Sequence, residues 1–158
     1  MIRLPLLLVS ALLTSPSHSA SQLDQIKANA KFVAERFGPQ SEVSSFGCNT
    51  ESVAYLDKFI SRQIRTVRKD QQSQERFTGL FGSFLGECVV ALYGGTWVES
   101  KDGIHIEVPG NGLVHFVQPF QKVSRRIQIG ESESLENYFG NLLPAALGPP
   151  VPPRVLRK

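Results

Sequence analysis

The stretch TGLFGSFLGECVVALYGGTW, Thr78 to Trp97, restricts the fold more than any other part of the chain. At helical spacing Phe77, Leu80, Phe81, Phe84, Leu85, Cys88, Val89 and Leu92 cover about half of a helix circumference. Gly79, Gly82 and Gly86 fall together on the reverse side, flanked by Thr78 and Ser83. Each glycine inside a helix costs about 1 kcal/mol relative to alanine, so three of them need a packing reason. The pattern predicts a sandwiched central helix, with its bulky side on one layer and its flat side against a second helix or the sheet. A glycine-rich phosphate cradle would precede a helix rather than lie within it. Gly94-Gly95 then marks the exit toward Trp97.

Glu87 stands at the edge of the apolar arc, beside Leu80 on the helical wheel. A carboxylate there is either partly exposed or buried with a partner, because an unpaired buried charge is too costly. A structural ion pair or a cap for a loop amide accounts for it. A role as acid, base or ligand-orienting group is the sharper alternative, and a lone glutamate identifies no reaction.

Around this helix the periodicity defines the remaining elements. Leu23, Ile26, Ala30, Val33 and Phe37 predict a first helix over Gln22 to Phe37, stopped by Gly38-Pro39. Asn49 or Thr50 can cap a second helix running to about Lys69, with Val53, Leu56, Ile60, Ile64 and Val67 on one side. The central helix is expected to start near Gln74. The period then changes: Thr96 to Glu99, Ile104 to Val108 and Leu113 to Gln118 are short, β-branched and separated by the turn signals SKDG and PGNG. Phe120, Val123 and Ile127 predict a short helix, although RRIQI also reads as strand. Ser132 or Ser134 can start a last helix carrying Leu135, Tyr138, Phe139 and Leu142. The expected fold class is α+β: three N-terminal helices, a three-stranded antiparallel meander, then one or two C-terminal helices.

The opening MIRLPLLLVSALLTSPSHSA combines Arg3, a short apolar run from Leu4 to Leu13, and a small polar end. That is the layout of a secretory signal peptide over residues 1–20, cut after Ser19 or Ala20, and the run is too short to span a bilayer. Residues 21–143 form one expected globular domain, and 144–158 a Pro-rich basic tail, extended or disordered. No transmembrane anchor is expected after cleavage. Localisation follows as exported, either periplasmic or secreted. Cys48 and Cys88 are the two cysteines, and an oxidising compartment invites a disulfide between them. The competing reading is a pair of buried thiols, since Cys88 lies mid-helix on an apolar arc. The formal charge of +3 does not signal nucleic acid. Arg3 belongs to the leader and Arg154, Arg157 and Lys158 to the tail, leaving thirteen basic against fourteen acidic residues between them.

Three further groups carry possible chemistry. Lys58, Arg62, Arg65 and Lys69 form a basic stripe opposite the apolar side of the second helix, either a solvated face or a surface for an anionic partner. It has no interleaved aromatics of the kind that stack single-stranded bases. His105, Glu107 and His115 lie on neighbouring strands, and two histidines with a carboxylate can bind zinc or iron. Their meeting depends on the hairpin register. A two-residue turn separates the histidines onto opposite faces. A three-residue loop over Gly110 to Gly112 brings His115 opposite Glu107, and gathers Ile104, Ile106, Val108, Val114 and Phe116 on one apolar face. The three-residue loop is the expectation here, with the polar trio taken as the outer face of the sheet rather than a metal site. No Gly-x-Ser-x-Gly elbow supplies a nucleophile.

Gly82, Leu85-Gly86-Glu87, Gly94-Gly95 and Trp97 resemble an LGxxLGE…GGxW signature of small bacterial α+β domains of unknown function. Pro119-Phe120, Lys122-Val123, Arg126, Gly130, Glu133-Ser134-Leu135 and Tyr138-Phe139 are similar to the remainder of that pattern. The resemblance implies one recurring domain whose common frame includes Glu87 and Trp97, and it carries no activity or cofactor. The functional expectation is an exported, non-catalytic domain that binds a protein or a cell-envelope component, without cofactor. The alternative is a small periplasmic hydrolase or metal-dependent enzyme using Glu87 or His105 with His115.

Overall fold

The computed structural model describes residues 21–151; the leader expected over residues 1–20 and the last residues of the tail, 152–158, lie outside them. Helix α1 spans Gln22–Phe37 and opens on a capping box, in which Ser21 and Asp24 exchange side-chain and backbone hydrogen bonds. A short 3-10 turn, Gly38–Gln40, leads into the loop before α2, Thr50–Val67, whose cap is Asn49. Helix α3 runs from Gln71 to Tyr93. It begins three residues earlier than the apolar period alone suggests, because Asp70 accepts from the Ser73 amide and hydroxyl and so caps a polar first turn. Gly94 ends it in the left-handed conformation, φ 72°.

Strands β1 (Thr96–Ser100), β2 (Gly103–Gly110) and β3 (Leu113–Val117) form an antiparallel meander in the order β1-β2-β3. Helix α4 then covers Pro119–Ile129, which decides the RRIQI ambiguity in favour of helix. Its proline occupies the first turn, where the missing N–H is harmless. The C-terminal helical segment comprises α5 (Leu135–Asn137, capped by Ser134), a π turn over Tyr138–Leu142, and α6 (Leu143–Leu147). The α+β class and its element order are as the periodicity predicts.

The tail requires a correction. Residues 144–147 are helical rather than extended, and the Val151 amide donates to the Leu92 carbonyl at 2.7 Å. Pro144 fits because it stands at the start of α6, and the preceding turn widens: the Leu143 amide bonds to Tyr138 O, five residues back.

Helix α3 is the centre of the molecule. Every residue from Phe81 to Gly86 is buried, an all-round burial that only a sandwiched helix shows. On its bulky side an aromatic group joins α1, α2 and α3: Phe37, Phe59, Phe77 and Phe81 have ring centroids 4.9–6.1 Å apart in five contacts. On its flat side a Cβ at Gly82 would come within 2.4 Å of the Phe120 ring, and one at Gly86 within 2.2 Å of the Trp97 indole. Those two glycines admit α4 and β1. Gly79 meets nothing within 4 Å, so close packing does not explain it. A disulfide joins Cys48 to Cys88, with Cα atoms 4.9 Å apart, and pins the loop before α2 to the middle of α3. The pair is therefore bonded, and both cysteines are accounted for.

Candidate functional site

Glu87 and Trp97 meet. Trp97 lies on the core face of β1, opposite Ile106, and its ring slides into the space left by Gly86. Its indole N–H donates to Glu87 Oε1 at 2.8 Å. The carboxylate thus satisfies the polar edge of a large, half-buried aromatic, as buried indoles require. Among the described residues no second titratable group is hydrogen-bonded or ion-paired to Glu87. An acid–base pair built on it has no partner there.

The hairpin differs from the three-residue expectation. Val108 pairs with His115 and Glu107 with Phe116, so a two-residue loop, Asn111-Gly112, connects β2 and β3. Both loop residues have positive φ, 51° and 75°, as the tight turn matched to strand twist demands. Asparagine followed by glycine is the dipeptide best suited to that conformation, and this local chemistry overrides the tidier apolar face of the other register. The one-residue difference transfers every β3 side chain to the opposite face.

Two consequences follow for the candidate residues. His115 lies on the face of Ile106 and Val108, whereas His105 and Glu107 lie on the outer face, with His105 Nε2 3.4 Å from Glu107 Oε1. The trio His105, Glu107 and His115 is not assembled, and among the described residues no group of three His, Cys, Asp or Glu is placed to hold a metal ion. Conversely, Val114 and Phe116 leave the core and stand 51% and 66% exposed on the outer face, where Phe116 leans on the His105 ring with centroids 5.4 Å apart. Leu113, at the end of the same strand, is 66% exposed. Position β3 at the edge of the sheet adds a row of main-chain groups without ladder partners; residues 113–117 make no other backbone hydrogen bond among the described residues.

The basic stripe is laid out as the helical spacing predicts. Lys58, Arg62, Arg65 and Lys69 are exposed, with the Arg62 guanidinium 5.8 Å and 5.7 Å from the Tyr55 and Phe59 ring centres. Part of that stripe therefore serves to cover aromatic surface.

A buried charged centre was not singled out by sequence reasoning. Asp57 projects from the apolar side of α2, between Val53 and Ile60, and Arg126 from α4. Arg126 Nε donates to Asp57 Oδ1 at 2.5 Å, and Nη2 donates to Ser61 Oγ at 2.5 Å. The Ser134 hydroxyl donates to Asp57 Oδ2 at 2.7 Å, tying in the cap of α5. Arg126 is 2% exposed and its Nη1 has no acceptor among the described residues. Leaving a buried charged donor unmet costs upward of about 1–3 kcal/mol. The available signal was Asp57 itself, an acidic residue at a core position of an otherwise regular apolar stripe.

Near this centre Glu133 accepts from Lys122 Nζ at 2.7 Å and from Arg125 Nη2 at 2.5 Å. The Arg125 guanidinium first, and the Lys122 ammonium second, hold the Glu133 carboxyl down at about 2. Lys122 Nζ also sits 5.1 Å from the ring centre of Tyr138, whose hydroxyl burial pushes up to about 12.

These features define a disulfide-linked α+β domain with a buried ionic centre and an apolar sheet edge. No protein-family model, curated protein or solved structure matches the chain.

Proposed function

We propose that this chain is an exported, non-catalytic domain that binds a protein partner through the outer edge of β3. The supporting observation is the strand LVHFV itself, an edge strand that shows Val114 and Phe116 to solvent. Sheet edges in soluble proteins are ordinarily blunted by charge, proline or a bulge, because they template pairing with another chain. Residues 113–117 contain no charged residue and no proline, and pair with β2 in unbroken register. An extended segment of the partner would add a fourth strand, main chain to main chain, and set alternate apolar side chains beside Val114 and Phe116. An envelope polymer offers no such backbone, so the edge favours a protein.

Export is supported by the leader-like residues 1–20, and the disulfide is compatible with an oxidising compartment. Glu87 and Trp97 are read as structural, because the indole N–H donates to the carboxylate.

The test places a photoreactive phenylalanine analogue at position 116, with a control at the exposed Lys31, in the native compartment. A defined adduct from 116 alone, abolished by Val114→Asp, is the expected result. Adducts equal at both positions, or none, would overturn the reading. An adduct of twice the chain's own mass would replace the partner by a second copy. N-terminal sequencing of the exported fraction should begin at Ala20 or Ser21, and an intact Met1 there would remove the leader assignment.

A further inference from the structure

A cleft of about 340 Å³ opens beside the buried ionic centre, between the C-terminal halves of α2 and α4. That volume is at the small end of ligand pockets. Arg68 and Arg126 line it together with Ile64, Ile129, Gly130 and Glu131. It shares no residue with the β3 edge.

Two arginines line the cleft, and each has guanidinium donors without an acceptor among the described residues. Arg126 is almost wholly buried, with Nε and Nη2 engaged and Nη1 without an acceptor among the described residues. Arg68 is fixed by its Nε, which donates to the Ile127 carbonyl at 2.6 Å, and it takes part in none of the ion pairs of the described residues. Its Nη2 lies over Gly130, where an added Cβ would stand 3.3 Å away on a backbone of φ 112°. The absence of a side chain there keeps that end of Arg68 open to the cleft.

Charge and shape narrow the ligand. Asp57 already neutralises Arg126, Arg68 is the lining cation outside the ion pairs of the described residues, and Glu131 on the exposed rim opposes a second negative charge. That balance suits a monoanion better than a phosphate dianion. Ile64 and Ile129 supply apolar wall, and Ile129 is 54% exposed. Arginine forks match the planar geometry of a carboxylate. We infer that this cleft binds a carboxylate carried on a short aliphatic group, whether a free acid or the C-terminal end of a peptide.

The experiment follows the arginine Nε–H resonances of Arg68 and Arg126 in the oxidised full-length protein, with calorimetry alongside. The probes are 3-methylbutanoate, its amide, inorganic phosphate, and an acetylated dipeptide ending in leucine with a free or an amidated C-terminus. The acid should shift both resonances in a saturable way while the amide does nothing. Arg68→Ala, at an exposed position, should weaken binding about tenfold or more without unfolding the protein. Glu131→Gln should tighten it, a change that a purely structural role for Glu131 would not produce. Binding by the free-ended peptide alone assigns the carboxylate to chain ends, and equal binding of the free acid assigns it to small acids. Unmoved resonances, an amide that binds as well as the acid, or phosphate binding more tightly than the acid would each overturn the inference.

Discussion

A methyl group at position 86 and one at position 79 should have opposite effects on the same helix. At Gly86 the new Cβ would overlap the Trp97 ring, and the indole cannot move without losing its bond to Glu87. Gly86→Ala is therefore expected to destabilise by about 1–3 kcal/mol, as overpacking does. Gly79 faces open space, so Gly79→Ala should stabilise by about 0.5–1 kcal/mol by favouring the helical backbone. Urea denaturation of the two variants settles the point, and equal shifts would contradict it. The clustering of the three glycines on one side was legible from spacing. Which of them meet a neighbour was not, because that depends on where β1 and α4 arrive from distant sequence. Glu87 was legible as anomalous, yet its partner lies ten residues on, across a helix exit. Glu87→Gln keeps an oxygen acceptor for the indole and should cost little, whereas Glu87→Ala orphans it and should cost about 1–3 kcal/mol.

Helices and strands were read correctly wherever one face is apolar and one polar, as in α1 and α2, since burial then imposes the period. The hairpin resisted because two criteria disagreed. Hydrophobic alternation favours one register, the Asn111-Gly112 turn the other, and the turn prevails. Inserting one glycine after Asn111 should restore the apolar face and turn Val114 and Phe116 inward. Such a variant should lose β3 cross-linking and protect those side chains, and unchanged cross-linking would sink the register argument. The disulfide acts at the same scale, closing the stretch between the α2 entry and the middle of α3. A loop of this length contributes at most roughly 4 kcal/mol through chain entropy, so reduction should lower the denaturation midpoint without abolishing the fold.

Across the whole molecule, α2, α4 and α5 are held together by charge rather than by apolar contact alone. Asp57→Ala leaves Arg126 buried and uncompensated, with an expected loss of about 3–5 kcal/mol, while Asp57→Leu with Arg126→Met should cost less than either single change. A double variant worse than both singles would contradict this account. Asp57 was legible only as an irregularity, since nothing local indicates that an arginine 69 residues later will meet it. Acid stability has a contributor in Glu133. Glu133 is held down to about 2 in the folded chain against an ordinary 4.5. Its contribution is complete above that ordinary value and is lost as pH falls from about 4.5 to about 2. Glu133→Gln should flatten the stability–pH curve over that interval, and an unchanged slope would remove Glu133 as its source. The same Asn111-Gly112 bond that sets the register also gives the molecule a chemical lifetime. An unhindered glycine nitrogen can attack the preceding asparagine side chain and expel ammonia, closing a succinimide ring that water then opens to an isoaspartyl link with an additional carbon in the main chain. A two-residue turn has no slack for that carbon, so ageing at one peptide bond would redraw the outer surface of the sheet. Peptide mapping of stored protein, beside its cross-linking at position 116, should show the two changes advancing together.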